Sequence, residues 1–438
     1  MVRIGFQNPW DSWHKPTLSE VWNGLRWTQQ GEEPKHKGHT EFEAYRTAIE
    51  EARRKESGQA SEQEDESKGT LNASQEHLLP SKDAGELKES DLAIHKPDFS
   101  QSPDDATSVK ATWLGHATVL LQLPSSKANP SSEPIRILFD PIFSHRCSPT
   151  QYIGPSRLYP APCTVADLPK IDAVCISHSH YDHLDYDSII QLWRANVEGI
   201  RFIVPLGNKA WFLGLGLNID EERVSELDWW DEVWLTQEGR QDEGRKARVI
   251  CTPAQHGSGR YGFDASRSLW SSWTIEYTHT SQQKPFRAFF GGDTGFQFHS
   301  SSPQATRYPT CPAFAEVQKE LGSPHLSFLP ISVGATFNFV KSYDALGVVP
   351  EMDGGLTGAN HMTPFDAVRV AKILAGEPGE EDRQPDQSSG QQNGFDIPQQ
   401  SVVMAIHWGT FVSGMDEIRR SMHDLESACA VQDVLYAR

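Results

Sequence analysis

The sequence predicts an α/β fold, and three observations support that prediction. Short apolar runs rich in β-branched residues recur from residue 111 onward, and each ends at a turn or a polar cluster, as buried strands do. Helix-like stretches such as DYDSIIQLWRA and CPAFAEVQKELG lie between several of these runs. Histidines or aspartates also stand directly after four of the predicted strands. Strand, polar loop and helix therefore alternate, which is the pattern of an α/β protein.

The chain opens with a segment, residues 1–54, that we expect to be ordered and to pack on the main domain. Its stretch KPTLSEVWNGLRW has Thr17 and Glu20 at capping-box spacing ahead of an apolar stripe at Leu18, Val21, Trp22 and Leu25. Residues 55–109 are dominated by Ser, Glu, Lys, Asp and Gln and contain few large apolar side chains. Such a composition cannot bury enough surface to offset its ordering entropy, so it predicts a disordered linker.

The main domain is predicted to span residues 110–438. Its strand-like runs are, in chain order, ATWLGHATVLLQL, IRILFDPIF, DAVCISHSH, RFIVPLG, ARVICTPAQHG and a final SVVMAIHWG. A second polar stretch, at about 377–400, predicts a disordered insertion between a helix and that final strand.

Charge and composition exclude several classes of function. The formal net charge is −19, whereas a nucleic-acid partner requires a basic surface. No run approaches 18 consecutive apolar residues, so we expect no transmembrane helix. The N-terminal sequence MVRIGFQNPWDSW lacks the apolar core of a signal peptide. Six scattered cysteines form no C-x-x-C pair, which is typical of reduced thiols in an intracellular protein.

The stretch SHSHYDHLD, residues 177–185, is the strongest chemical signal in the sequence. Zinc is commonly held by imidazole and carboxylate, and four such side chains at this spacing are costly to bury without a partner. The other strand-end residues are His256, Asp293 and His407. Taken alone, a strand-end histidine such as His256 or His407 is more often an ordinary hydrogen-bonded residue than a metal ligand.

Together, seven candidate ligands suit two zinc ions that share one carboxylate. We assign one ion to His178, His180 and His256 and the other to Asp182, His183 and His407. Asp293 is predicted to bridge them and so to be required for catalysis. Two such ions can lower the pKa of a shared water and hold the attacking and leaving oxygens of a displacement. Asp185, after the motif, is predicted to orient a ligand histidine rather than to bind metal.

The motif order, His-x-His-x-Asp-His after a strand and then a His, Gly-Asp-Thr-Gly and a late His, resembles the metallo-β-lactamase superfamily. Further stretches resemble one family within it, the N-acyl-phosphatidylethanolamine-hydrolysing phospholipases D, in a fungal-type form. These stretches are FQNPWDSW, TWLGHATVLL, VPLG, ELDWW, GDTG, CPAFAEV, MAIHWGTF and the whole of residues 140–190.

The resemblance implies a four-layer αβ/βα sandwich with the metals at one edge. It also implies hydrolysis of N-acyl-phosphatidylethanolamine to an N-acylethanolamine and phosphatidate at a membrane surface, by attack of a metal-bridging hydroxide. His361 matches the family's active-site histidine, which predicts a substrate-orienting or proton-donating residue, with Asn360 beside it as a substrate contact. The alternative for His361 is a surface histidine near a helix start. His116 also matches the family, but a structural hydrogen bond is favoured there.

Residues 296–310 and 332–358 depart from the family pattern, so lipid specificity stays open. With a net charge of −19, we expect membrane contact to be local and apolar. The candidate side chains are Phe296, Phe298, Phe337, Phe339 and the tryptophans at positions 10, 13, 22 and 27, which packing on the main domain explains equally well. Expected partners are an N-acyl phospholipid and no nucleic acid, with a homodimer left open, and the expected location is the cytoplasm or the periphery of an organelle membrane. Alternative functions are a lactonase or soluble phosphodiesterase of the same superfamily, or a non-catalytic metal- or lipid-binding module.

Overall fold

The computed structural model describes most of the main domain and part of the N-terminal segment. The described residues are 5–26, 93–100, 108–124, 133–235, 246–261, 263–278, 284–299, 308–332, 351–352, 354–377 and 401–436. Of the predicted linker at 55–109, only residues 93–100 and 108–109 are described. Of the predicted insertion at 377–400, only residue 377 is described. Within the predicted linker, Phe99 packs against the apolar cluster on the outer face of the first sheet.

Six strands form the first sheet, in the order β2-β3-β4-β5-β6-β7. They are β2 (Lys110–Trp113), β3 (Val119–Leu123), β4 (Ile135–Phe139), β5 (Ala173–Cys175), β6 (Arg201–Pro205) and β7 (Val224–Leu227). The first three pair antiparallel, with Val119 opposite Phe139, and β4 to β7 pair parallel. Every residue of β3 and β5 is buried, as the near-continuous apolar runs predict.

Six more strands form the second sheet, in the order β14-β12-β11-β10-β9-β8. They are β8 (Glu232–Leu235), β9 (Lys246–Thr252), β10 (Ser272–Thr278), β11 (Phe286–Phe290), β12 (Leu326–Pro330) and β14 (Val402–Ile406). Strands β8 to β11 pair antiparallel, while β11, β12 and β14 pair parallel. A two-residue strand β1 (Leu25–Arg26) pairs with β13 (Glu351–Met352).

The main core lies between the two sheets. Val119, Ile137 and Phe139 of the first sheet share one buried cluster with Trp273 and Phe290 of the second. The rings of Phe139 and Phe290 stack with their centroids 4.5 Å apart. Fully burying each such side chain contributes about 1.5–3 kcal/mol, so this interface fixes how the sheets face each other.

Helices cover the two outer faces. They are α2 (Tyr186–Ala195) and α3 (Lys209–Leu213) on the first sheet, α4 (Ala313–Leu321) and α5 (Pro364–Leu374) on the second, and α6 (Met415–Val431) against α5. Alternate residues of β4 and β6 point outward to meet Leu192 and Trp193 of α2. The predicted αβ/βα four-layer sandwich is therefore confirmed. No helix among the described residues is both long and apolar enough to cross a membrane.

The N-terminal segment contains a short helix, α1 (Leu18–Gly24). The predicted capping box forms, since the Glu20 amide donates to Oγ1 of Thr17 and the Thr17 amide donates to the Glu20 carboxylate. The predicted apolar stripe is not buried, because Leu18 and Trp22 are 91% and 70% exposed. The segment instead packs through Trp10, whose ring stacks on Trp229 at 5.4 Å.

Four strands place the predicted metal ligands at one edge of the sandwich. Strand β5 leads into the 177–185 motif, and β9, β11 and β14 run in one direction and end shortly before His256, Asp293 and His407. Because side chains beyond the carboxyl ends of such strands share one rim, residues far apart in sequence meet there.

Candidate metal centre

The 177–185 motif folds into a tight turn between β5 and α2. The amides of His183 and Leu184 both donate to the carbonyl of His180, at 3.2 and 2.9 Å. Asp185 then caps α2 by accepting from the Ser188 amide. The turn is short because the strand and helix on either side are fixed by buried apolar contacts, and it directs the motif's histidines to one side.

The first predicted ligand trio is brought together. Nε2 of His178 lies 2.7 Å from Nδ1 of His180, and Nε2 of His256 lies 3.1 and 3.3 Å from these two atoms. Three nitrogens on a tetrahedral zinc ion, each about 2.0–2.1 Å from it, are about 3.3 Å apart. The trio therefore has nearly the spacing that one ion needs.

The second predicted group also converges, more loosely. Oδ2 of Asp182 lies 3.7 Å from Nε2 of His183 and 3.6 Å from Nε2 of His407. His116 joins this group, because its Nε2 lies 3.1 Å from the same Asp182 oxygen. This contact fits the structural hydrogen bond expected for His116, but it also places His116 in one group with Asp182, His183 and His407 that could hold a metal ion.

Asp293 stands between the two groups. Its Oδ1 lies 3.0 Å from Nε2 of His407, and its Oδ2 lies 3.1 Å from Nε2 of His183. The same Oδ2 lies 3.7 Å from Nε2 of His256 and 4.0 Å from Nε2 of His178. A carboxylate in this position can reach two ions, as the bridging prediction requires.

Four of the five predicted histidine ligands are held by a hydrogen bond on the ring nitrogen that points away from the centre. These partners are Ser177 Oγ for His178 (2.9 Å), Asp140 Oδ2 for His183 (2.7 Å), the Asn360 carbonyl for His256 (2.9 Å) and the Ser332 carbonyl for His407 (3.2 Å). Metal-binding histidines usually have such an outer partner, which fixes the ring orientation and leaves the other nitrogen free for the ion.

The centre contains buried polar atoms that no described residue satisfies. Nε2 of His183, Nε2 of His407, Oδ1 of Asp293 and Nδ1 of His361 are buried without a hydrogen-bond partner among the described residues. All four lie around the Asp293 carboxylate: Nε2 of His407 is 3.0 Å from Oδ1, and Nε2 of His183 and Nδ1 of His361 are 3.1 and 3.6 Å from Oδ2, without hydrogen-bond geometry. Cations bound there would satisfy them, so the residues present fit two metal ions with nitrogen and oxygen ligands.

The electrostatics differ between the two halves of the centre. Burial and the neighbouring histidines hold the pKa of His178 far below its usual value, and burial does the same for His256. Both rings are therefore neutral, which is the form that binds metal. Burial opposes protonation of His407 as well, but Asp293 and Asp182 raise its pKa to about 9. The two carboxylates thus attract positive charge to that half, as they would attract a cation.

Backbone strain is concentrated beside the second group. His116, Asp140 and His407 have φ angles of 51°, 39° and 63°, in the left-handed region that disfavours residues with a side chain. Each costs about 1–3 kcal/mol and persists where surrounding contacts impose it, as they often do at functional sites.

His361 reaches the centre from the loop before α5. It is 9% exposed, and its Nδ1 lies 3.6 Å from Oδ2 of Asp293. The surface-histidine alternative is therefore wrong. Gly295 makes the approach possible, because a Cβ there would lie 2.0 Å from the carbonyl carbon of Ala359. The contact that Asn360 makes with the centre comes from its backbone carbonyl, and its predicted substrate contact stays a prediction.

The expectation for Asp185 is wrong. Asp185 touches no histidine, since its carboxylate binds Ser144 and Ser188 as a helix cap. Asp140 occupies the orienting position instead, and the sequence analysis missed it. The available signal was its place directly after strand β4, the same strand-end position that marks the predicted ligands.

Two of the four predicted lipid-facing phenylalanines are in the wrong place. Phe296 and Phe298 are each 1% exposed, because Phe296 packs against Phe314 of α4 and Phe298 against Tyr308. These rings cannot reach a bilayer. Phe337, Phe339 and Trp27 lie outside the described residues. Trp10 and Trp13 pack on the domain, whereas Trp22 is 70% exposed, as a lipid contact requires.

One family model and several known proteins are similar to this chain. Residues 135–378 match the family model of the beta-lactamase superfamily domain. An uncharacterised protein of Mycobacterium tuberculosis is 32% identical over 307 residues, which cover 70% of this chain and 60% of that protein. N-acyl-phosphatidylethanolamine-hydrolyzing phospholipase D 1 of Caenorhabditis elegans is 29% identical over 309 residues, covering 70% and 65%. The mitochondrial N-acyl-phosphatidylethanolamine-hydrolyzing phospholipase D of Saccharomyces cerevisiae is 33% identical over 166 residues, covering 37% and 31%. The chain thus matches less than two thirds of the length of each of these relatives.

Proposed function

The chain belongs to the beta-lactamase superfamily, and from that premise we propose that it is a two-zinc phosphodiesterase of the phospholipase D type. Its proposed substrate is N-acyl-phosphatidylethanolamine, hydrolysed to an N-acylethanolamine and phosphatidate. The observation that supports the proposal most is the position of Asp293, whose two oxygens lie 3.0 and 3.1 Å from histidine nitrogens of the second group while Oδ2 also faces the first. That is a ligand set for a pair of ions rather than for one.

The choice of a phosphodiester rests on charge and on the relatives. Two bound ions favour an anionic substrate, lower the pKa of a water molecule and stabilise a leaving oxygen. The worm and yeast relatives are named for hydrolysis of N-acyl-phosphatidylethanolamine. The −19 net charge disfavours a nucleic-acid phosphodiester, so a lipid phosphodiester is the better match.

The chain's own residues then have separate tasks. His178, His180 and His256 would hold one ion, and Asp182, His183 and His407 the other, with Asp293 shared. His361 is not one of the seven predicted ligands, but its Nδ1 lies 3.6 Å from Oδ2 of Asp293 and in one cluster with Asp293 and His256. Burial lowers the pKa of His361 to about 4, so its neutral ring can hold a substrate oxygen. It can give a proton to the departing head-group oxygen once the bound phosphate anion raises that pKa.

A lipid enzyme also needs a surface that touches the bilayer, and exposed aromatic side chains beside the metal loop fit that role. Tyr261 and Phe263 stack on each other at 5.9 Å and are 55% and 66% exposed. Arg260, next to them, places its guanidinium over the ring of Tyr181 in the metal loop. We propose that Tyr261 and Phe263 insert into the lipid interface, where aromatic rings are stable.

Mass spectrometry of the lipid products tests the proposed reaction directly. Zinc-loaded protein incubated with N-acyl-phosphatidylethanolamine vesicles should release N-acylethanolamine and phosphatidate in equal amounts. Asp293→Asn protein serves as the control and should release neither. Hydrolysis of a lactone or of a soluble phosphodiester instead would support the alternative enzymes, and two bound zinc ions without any hydrolysis would support a non-catalytic module.

A further inference from the structure

The N-terminal segment touches the metal centre at one predicted ligand, His256. The side-chain amide of Asn8 donates from Nδ2 to the His256 carbonyl at 2.7 Å, and its Oδ1 accepts from the His256 amide at 3.2 Å. Asn8 therefore pairs with both backbone groups of His256, as a neighbouring strand would. The two residues are 248 positions apart in sequence.

This pairing restricts the movement of His256. His256 follows the end of β9, and among the described residues no strand pairs with it. Its ring is fixed on one side by the Asn360 carbonyl at Nδ1, and Asn8 fixes the backbone from the other. With its ring held at Nδ1 and its backbone held by Asn8, His256 has little freedom to move Nε2 away from His178 and His180.

A second contact from the same segment supports the neighbouring residue. Ser12, which is 2% exposed, donates its hydroxyl to the side-chain oxygen of Gln255. Gln255 in turn donates to the carbonyl of Ala359 at 2.9 Å, and its own carbonyl accepts from the Gly295 amide at 2.7 Å. The segment therefore docks on the junction where three site-bearing loops meet.

We infer that Asn8 is a positioning residue for the first metal ion, acting through the backbone of His256. It does not reach the reacting atoms itself. The inference rests on the metal centre of the proposed function and not on its phospholipid substrate. No local feature of the sequence near residue 8 indicates this role, because it depends on where the segment docks.

Other residues anchor the rest of the segment. The effect of Asn8 on metal binding can therefore be measured apart from the docking of the whole segment. Trp10 stacks on Trp229, and the Tyr308 hydroxyl donates to the Glu20 carboxylate at 2.6 Å. Replacing Asn8 should therefore leave the segment in place. Tyr308→Phe is the matched control, because it removes one hydrogen bond to the segment without touching His256.

The test measures zinc binding in the full chain by chelator competition. Loss of an outer partner typically weakens metal affinity about 10–100-fold, and in Asn8→Ala we expect that loss for the first ion, the one assigned to His178, His180 and His256. Asn8→Asp keeps the oxygen that accepts from the His256 amide and should recover part of the affinity. Tyr308→Phe should bind both ions as the wild type does. In cobalt-substituted protein, the visible absorption bands should shift for Asn8→Ala only.

The outcomes separate this inference from the proposed function. Wild-type affinity and an unchanged cobalt spectrum in Asn8→Ala would overturn the inference while leaving the metal centre intact. Equal losses in Asn8→Ala and Tyr308→Phe would also overturn it, since they would show a general docking effect. A wild-type chain that binds no zinc would instead refute the proposed function.

Discussion

Oδ2 of Asp140 lies 2.7 Å from Nδ1 of His183, and both side chains are inaccessible to solvent. The same aspartate accepts hydrogen bonds from the amide and hydroxyl of Ser177, whose hydroxyl is also 2.9 Å from Nδ1 of His178. Asp140 therefore orients His183 directly and His178 through one intermediate. It has no contact with the space where the ions would lie, so its effect on chemistry passes through the ligands.

Asp140→Asn should weaken zinc binding without abolishing the fold. The amide can still bond to Ser177, but it removes the negative charge that fixes the His183 ring, and we expect about 10–100-fold lower affinity for the second ion. Chelator titration of the variant measures this directly. Unchanged affinity for both ions would show that Asp140 has only a structural role.

Asp293→Asn should lose metal and activity together, because one carboxylate serves both groups. Elemental analysis of the wild type should give two zinc ions per chain, and the variant should give fewer than one. Asp187→Asn removes the same charge from an exposed position on α2 and should keep both ions. A variant at position 293 that retains two ions and normal turnover would disprove the bridging role.

His361→Ala should keep both ions and lower turnover. Since His361 is not among the seven predicted ligands, its removal should leave both ions in place, whereas loss of a proton-transfer residue costs about 10²–10⁴-fold in rate. His423→Ala, an exposed histidine on α6, should match the wild type. Zinc loss in the His361 variant would move this residue into the ligand set, a possibility that its unpartnered Nδ1 leaves open to experiment.

Replacing both Tyr261 and Phe263 with serine should weaken binding to phospholipid vesicles by tens-fold or more. Burying one such ring in lipid contributes about 1.5–3 kcal/mol, so the loss of two is large. Trp234→Ser is the control, because Trp234 is 46% exposed but pairs with Arg248, toward the end of β9 that is far from His256. Hydrolysis of detergent-dispersed substrate should change little. Vesicle binding that ignores the serine variants but collapses in high salt would show an electrostatic contact instead.

Local sequence patterns were sufficient to predict many of the strands and helices, whereas the four-layer arrangement was predicted from the family resemblance. Strand runs such as IRILF and helices such as DYDSIIQLWRA appear where their apolar periodicity places them, because periodicity records which faces are buried. Strand-end histidines and aspartates converge because strands in a sandwich share an edge. His178 and His407, separated by more than half the chain, could therefore be assigned to one centre from sequence.

Contacts that depend on tertiary docking could not be predicted in the same way. Asp185 is the last residue of the motif and Asp140 lies far from it in sequence. Only the path of the folded chain decides that Asp140, and not Asp185, contacts His183. Phe298 lies in a polar, insertion-like stretch, yet it is buried because His14 and Tyr308 cover it. Neither outcome is encoded within a window of neighbouring residues.

The division of the ligands between the two sheets has a consequence for folding. His178, His180, Asp182 and His183 follow a strand of the first sheet, whereas His256, Asp293 and His407 follow strands of the second. Neither half of the sandwich holds a full set, so ions that bind only the assembled centre favour the native over the unfolded chain by mass action. At a free concentration about 100 times its dissociation constant, one ion adds about 2.7 kcal/mol to the free energy of unfolding. We therefore expect metal supply to shift the equilibrium between the folded and the unfolded chain.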